Sequence, residues 1–391
     1  MNNASIIAVV IIIVAVIAAV GILHTKGALP SASTTSVPSI TPNQAGNTTS
    51  TGASTTIAAQ QWINPGYLYV PNYNESTVSV INTSTNRVVS TVPVGSAPVS
   101  AVVIGNGRYV YVSDSGSNEQ NNLNNKISVI DASTFKVIAN VSVTGHPLGL
   151  AASPDGKFVY AALSGTGDLA AINTTTNKVA WTLYVGNGPN CVAVTPNGEY
   201  ALVGTYYDNT TAIVNLSARN VIVNLSAQGR AGGIAISQNG QTAYMSTSIG
   251  VGMSVINVTS RQISDTIPDR TYTAAVAFSP NGKYLYTANY GKGTLGVINT
   301  ETNQFVTNVT VGAFPNGIAV SPDGRYIYVT VVGLTKVTQS GNQQPTAAGT
   351  PPGSGSPGYV VVIDSANYSI AAQVQVGKFP FSISGSGIDS V

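Results

Sequence analysis

Residues 277–303, AFSPNGKYLYTANYGKGTLGVINTETN, decide how the whole chain is read. An alternating apolar run ends at Ser279-Pro280, Asn281-Gly282 supplies a tight turn, and Tyr284 to Ala288 alternates again. Leu295 to Ile298 forms a third run before the polar turn Asn299-Thr300-Glu301-Thr302-Asn303. Period-two alternation in Tyr, Thr, Val and Ile, punctuated by Asn-Gly, specifies short antiparallel β-strands following one another.

The same pattern recurs along the chain. Asn/Asp-Gly turns fall at Asn106, Asp155, Asn197, Asn239, Asn281 and Asp323, and from Asp155 onward the step is 42 residues. A second marker, an aliphatic residue followed by Asn or Asp, appears at Asn82, Asp131, Asn173, Asn215, Asn257, Asn299 and Asp364. Its steps are 49, 42, 42, 42, 42 and 65 residues. A period near forty with four strands per unit is that of a β-propeller blade. The first unit starts at Tyr67, already in its second strand, while Phe381 to Ile383 is a spare strand after the last unit. Pairing the two closes the ring and removes open edges, so an all-β, seven-bladed propeller is expected over residues 62–391.

Tyr69-Val70-Pro71-Asn72, Tyr286-Thr287-Ala288-Asn289 and Tyr328-Val329-Thr330-Val331 then resemble the YVTN-type propeller repeat. That resemblance implies an archaeal surface-layer or cell-surface type of protein. It fixes fold far better than activity, because propellers carry enzymes and adhesion modules alike.

Only 8% of residues are charged and the net charge is +2. Nucleic acid is thereby excluded as a partner, since phosphate binding needs clustered Lys and Arg. Residues 1–26 contain an uncharged apolar run, Ile6 to Leu23, just long enough to span a bilayer core. It reads as a transmembrane anchor, a cleaved signal being the alternative. Residues 27–61 are a Ser/Thr/Pro-rich stalk, reaching on the order of 110 Å when extended. Cell-surface placement, with the membrane, other envelope proteins or glycans as partners, follows from these two segments.

Asn-x-Ser/Thr sequons support export. Asn140, Asn224 and Asn308 are expected in outermost strands, Asn82, Asn173, Asn215 and Asn257 at the marker, and Asn47, Asn74, Asn209 and Asn367 elsewhere. At the marker, the competing reading is that Asn simply builds a turn, as Asp131 and Asp364 do. The single cysteine, Cys191, allows no intrachain disulfide and reads as a buried apolar residue.

Two insertions break the period, at 113–126 and 332–358, both in the loop between second and third strands. That places them on one face, marking it as the binding surface. Glu75, Asp114, Glu119, Asp168 and Asp208 are assigned to the same loops. No cofactor is required; a Ca²⁺ ion would suit Asp114, Asn118 and Glu119 as hard oxygen ligands, though their spacing matches no calcium loop. With His24 and His146 the only histidines, a multi-histidine metal centre is excluded. Gly353-Ser354-Gly355-Ser356-Pro357-Gly358 fits a dinucleotide fingerprint in letters only, lacking strand-to-helix context.

The expected function is a structural or binding module of the envelope. A lactonase- or lyase-type enzyme, with His146 at the channel mouth, is the alternative from another class. A carbohydrate-binding adhesin is the third, with Tyr206, Tyr207 and Tyr290 stacking on sugars. Sparse charge also favours tolerance of acid.

Overall fold

The computed structural model describes residues 66–116, 125–227, 229–250, 252–268, 272–333 and 356–385. The anchor run 6–23, the stalk 27–61, Asn47, Asn118 and Glu119 lie outside the described residues, as do the central parts of both insertions. What is described forms seven four-stranded antiparallel sheets. The inner strands are Pro98–Ile104, Pro147–Ala152, Pro189–Val194, Gly229–Ile236, Thr273–Phe278 and Ala313–Val320, with Ser384–Gly385 as the seventh.

Ring closure holds, with a shift in its residues. Ser384–Gly385 pairs antiparallel with Tyr67–Asn72, so the first blade combines chain end and chain start. Phe381–Ile383, the expected closing strand, instead forms the approach to it: the Phe381 N–H donates to Pro71 O at 3.0 Å and Pro380 bridges Asn72. The reason is a bulge shared by the other inner strands, whose register slips just after their Pro or equivalent residue, as between Pro98 and Ala101 and between Pro315 and Ile318. Ladder pairing therefore resumes late in the closing segment as well. Ile383 is nonetheless fully buried against blade 7.

Packing between blades follows from one repeat position. Ser100, Gly149, Cys191, Gly233, Ala275, Gly317 and Ser382 recur at steps of 49, 42, 42, 42, 42 and 65 residues, and all are small. A Cβ on Gly149 would come within 2.8 Å of Cys191 Cα, and one on Gly317 within 2.8 Å of Ser382 Cα. Neighbouring inner strands thus approach too closely for any larger side chain. Burial pushes the Cys191 thiol up to about 12, which fits its place in this ring.

Hydroxyls staple some of these seams. Ser113 Oγ accepts from the Ser100 N–H at 2.9 Å and donates to Leu148 O of the next blade at 2.6 Å. Thr330 repeats the device across the closure, accepting from the Gly317 N–H at 2.8 Å and donating to Phe381 O at 3.0 Å. Between blades the core is built from Val, Ile, Leu, Ala and Tyr, in clusters that each draw on two neighbouring sheets. Burial of such side chains at about 25 cal/mol per Å² supplies the main stabilising term.

Candidate functional site

The propeller has two unlike faces. On the first, the turns between inner and second strands of blades 3 to 7 repeat one hydrogen-bond plan. The Ser279 hydroxyl donates to Asn281 Oδ1 at 2.8 Å and accepts the Tyr284 N–H at 2.9 Å, while the Lys283 N–H donates to Asn281 Oδ1 at 3.0 Å. Ser153 with Asp155, Thr195 with Asn197, Ser237 with Asn239 and Ser321 with Asp323 do the same. Marker residues join them: Asn82 Oδ1 accepts from the Ser84 and Thr85 N–H groups, Asn173 from Thr175 and Thr176, Asn215 from Ala218 and Asn257 from Ser260. Asp131 and Asp364 take the same role with a carboxylate. Turn-building therefore accounts for the marker position, since an acid serves as well as an amide there.

The opposite face carries the inter-blade connectors. Ala97, His146, Gly188, Phe314 and Phe379 each precede a proline there and share a left-handed φ between 48° and 66°. The following proline pushes its neighbour away from the right-handed helical region. His146 is one of this series, which explains its position without chemistry. Its Nδ1 lies 2.9 Å from Ser115 O. Among the described residues no group of three His, Cys, Asp or Glu is close enough to hold a metal ion.

Three assignments made from sequence change, at Asp114, Tyr290 and Asp168. Asp114 is not a loop residue but ends the strand Tyr109–Asp114, fully buried. Ser128 Oγ donates to its Oδ2 at 2.5 Å, and burial raises its pKa to about 6 despite that bond and Lys126 opposite. The equivalent positions Asn72, Leu163, Thr205, Thr247, Asn289 and Val331 are neutral and buried too, so Asp114 is the one acid at a buried repeat position among the described residues. Tyr290 is also buried, clamped between Tyr272 at 4.8 Å and Phe314 at 4.9 Å, with its pKa pushed up to about 12 by burial. A ring with both neighbours occupied offers no open side to a sugar.

Asp168 opens the strand Asp168–Asn173 and is half-buried, one position beyond the loop expected for it. Glu75 does lie in a loop, 3.9 Å from Lys378 Nζ, beside a cleft of about 460 Å³ where blades 7 and 1 meet. Asn140, Asn224 and Asn308 are exposed in outer strands as expected, and Asn74, Asn209 and Asn367 are exposed in turns.

The residues that the structure does bring together on this face belong to blades 3, 4 and 5. Tyr206 and Tyr207 meet edge to face at 5.3 Å, and Tyr207 is 62% exposed. The Arg230 guanidinium stacks over Tyr206 at 4.9 Å and donates to its hydroxyl at 3.3 Å. Asp208 accepts from the Asn187 backbone N–H at 2.7 Å and from its side-chain amide at 2.9 Å. Asn187 in turn accepts from the hydroxyl of Tyr184, which is 57% exposed. Tyr184, Asn187 and Arg230 were not singled out from sequence. Yet the repeat register flags Tyr184, because Pro93, Ser142, Ser226 and Thr310 stand at its position in other blades.

A family model described as lactonase, 7-bladed beta-propeller, matches residues 234–338, from the inner strand of blade 5 into blade 7. Among solved structures the chain is similar to Kuenenia stuttgartiensis hydrazine synthase, at 19% identity and a TM-score of 0.61 over 77% of this chain and 92% of that one. At that identity the likeness speaks to fold alone. No curated protein matches the chain.

Proposed function

We propose that the chain is an exported binding module of the cell envelope, anchored by residues 6–23, raised on the stalk 27–61 and engaging partners through its connector face. One observation carries the reading: open aromatic side chains sit on that face at Tyr184 and Tyr207, while the turn face repeats one hydrogen-bond plan. The YVTN-like tetrapeptides and the eleven sequons that follow the apolar run favour placement outside the cell. To test it, full-length chain is bound to envelope fragments stripped of it. Replacing Tyr184, Tyr207 and Arg230 together by Ala should abolish retention, whereas replacing Glu199, Lys283 and Glu301 on the turn face should leave it intact. The reverse pattern would refute the assignment. Intact-mass measurement of native protein checks export, a mass above 39.9 kDa being expected from glycans.

The match to the lactonase description favours a second reading, an enzyme that opens lactone rings. Against it stands where the match falls. In the matched stretch the described acids Glu301 and Asp323 belong to turn-face loops, and Asp265 lies on an outer strand bonded by the Asn303 amide. Hydrolysis of a lactone panel that is lost on His146→Ala would establish this second reading instead.

A further inference from the structure

Two exposed tyrosines flank a polar pair on the connector face, and each ring rests on glycine. A Cβ on Gly188 would overlap the Tyr207 ring, and a Cβ on Gly167 would overlap the ring of Tyr184. Each ring therefore lies close against the backbone of a glycine, in space that a side chain there would fill. The connector beneath is fixed as well. The Tyr206 N–H donates to Gly188 O at 2.8 Å and the Tyr207 N–H to Asn187 O at 3.2 Å. Gly188 has a φ of 66°, a conformation open to glycine at little cost.

Between the rings lie Asn187 and Asp208, locked to each other through two hydrogen bonds. A carboxylate has about four acceptor sites and an amide two donors, so this pair keeps lone pairs and an N–H for a ligand. Charge is balanced locally, with Arg230 on Tyr206 against Asp208. The exposed aliphatic side chains Val89, Ile138, Val306 and Ile370 stand on outer strands of other blades, and Val179 stands at the turn-face end of the strand Lys178–Tyr184, away from Tyr184. What remains is a rigid surface with aromatic faces, hydroxyl-directed polar groups, no net charge and no aliphatic border.

Resting on the reading of this face as the binding face, we infer that Tyr184, Tyr207, Asn187 and Asp208 form a binding site for a neutral, hexose-containing glycan. The apolar C–H face of a pyranose packs on an open tyrosine ring, and ring hydroxyls pair with Asn187 and Asp208. An anionic polysaccharide finds no surplus of positive charge here. A protein partner would bury a larger patch with an aliphatic core, which this surface lacks.

Affinity electrophoresis of the full chain, through gels holding a neutral glucan, mannan or galactan or else a polyuronate, tests the inference. At least one neutral polymer should retard the chain and the polyuronate should not. Tyr207→Ala and Tyr184→Ala should each weaken retardation about tenfold, Tyr207→Phe should preserve it, and the rim variant Phe305→Ala should leave it unchanged. Circular dichroism melts confirm that the variants are folded. Retardation by no neutral polymer, or equal retardation of the Tyr184→Ala/Tyr207→Ala double variant, would overturn the site. If envelope fragments still retain the chain through this face in that case, the partner is a protein and the module reading survives alone.

Discussion

The turn face and the connector face are made from the same repeats, yet they have diverged in opposite directions. Five turns on one face use a hydroxyl, an Asn amide or Asp carboxylate oxygen and two backbone N–H groups in one arrangement. On the other, the equivalent loops hold a clamped Tyr272–Tyr290–Phe314 stack, an open Tyr206–Tyr207 pair and a cluster of Tyr73, Phe379 and Phe381. Uniformity is what a scaffold requires, since each turn solves one problem of backbone satisfaction. Divergence belongs to surfaces whose demands differ from blade to blade.

Two turn-face carboxylates and one buried near the connector face are shifted in opposite directions. On the turn face, the Ser153 hydroxyl and the Lys157 N–H hold Asp155 down to about 2, and Ser133 lowers Asp131. Such groups stabilise the fold above the ordinary carboxylate pKa and lose that contribution as pH falls through their lowered values. Near the connector face, Asp114 is raised to about 6 by burial, so its folded form binds a proton that the unfolded form has released. Stability from Asp114 is therefore full below about pH 4 and falls as pH rises through 6.

The strongest challenge to the comparison lies in the sector where the connector face serves structure. Truncation after Lys378 removes the closing strand, the buried Ile383 and the bond from Thr330 to Phe381. Cooperative melting should be lost, or its midpoint should fall by at least about 10 °C. A truncated chain that melts like the parent would mean the ring is not sealed there.

Next in size is Asp114→Asn. It should raise stability at pH 7.5 by on the order of 2 kcal/mol and leave acid stability unchanged, flattening the profile between pH 4 and 7. Groups facing this position are the Ser128 hydroxyl, Lys126 on the paired strand and Gly95 on the connector. Urea titrations at pH 4.5 and 7.5 read the difference, and equal gains at both pH values would show that Asp114 is charged throughout.

Turn-face effects should be smaller and repeatable. Ser279→Ala and Ser321→Ala each remove the acceptor for a backbone N–H and should cost about 1 kcal/mol apiece, alike within error. Unequal costs would break the claim that the turns are copies. Smallest of all, Tyr207→Ala should shift stability by less than about 0.5 kcal/mol, as for other exposed positions.

Much of this architecture is legible in the letters. The 42-residue step, the missing first strand and the surplus at the chain end together specify seven blades and their closure. Harder to read is where loops begin. Ser113-Asp114-Ser115-Gly116 looks like an exposed polar stretch, yet its first two residues are strand and its acid is buried. Alignment by repeat, placing Asp114 level with Asn72 and Asn289, carries that information; reading the stretch alone does not. Tyr290 misleads for a different reason: its burial depends on Tyr272 and Phe314 from neighbouring connectors, contacts that no local pattern encodes. The polar platform at Asn187 and Asp208 likewise arises from two blades at once.

The division of labour between the faces is open to one direct measurement. A photo-activated phenylalanine analogue replaces Tyr207 on the connector face and, in a second protein, Glu301 on the turn face, each in the full chain mixed with native envelope fragments. Crosslinked envelope material is expected from position 207 and none from position 301; crosslinks confined to position 301 would contradict the assignment of recognition to the connector face.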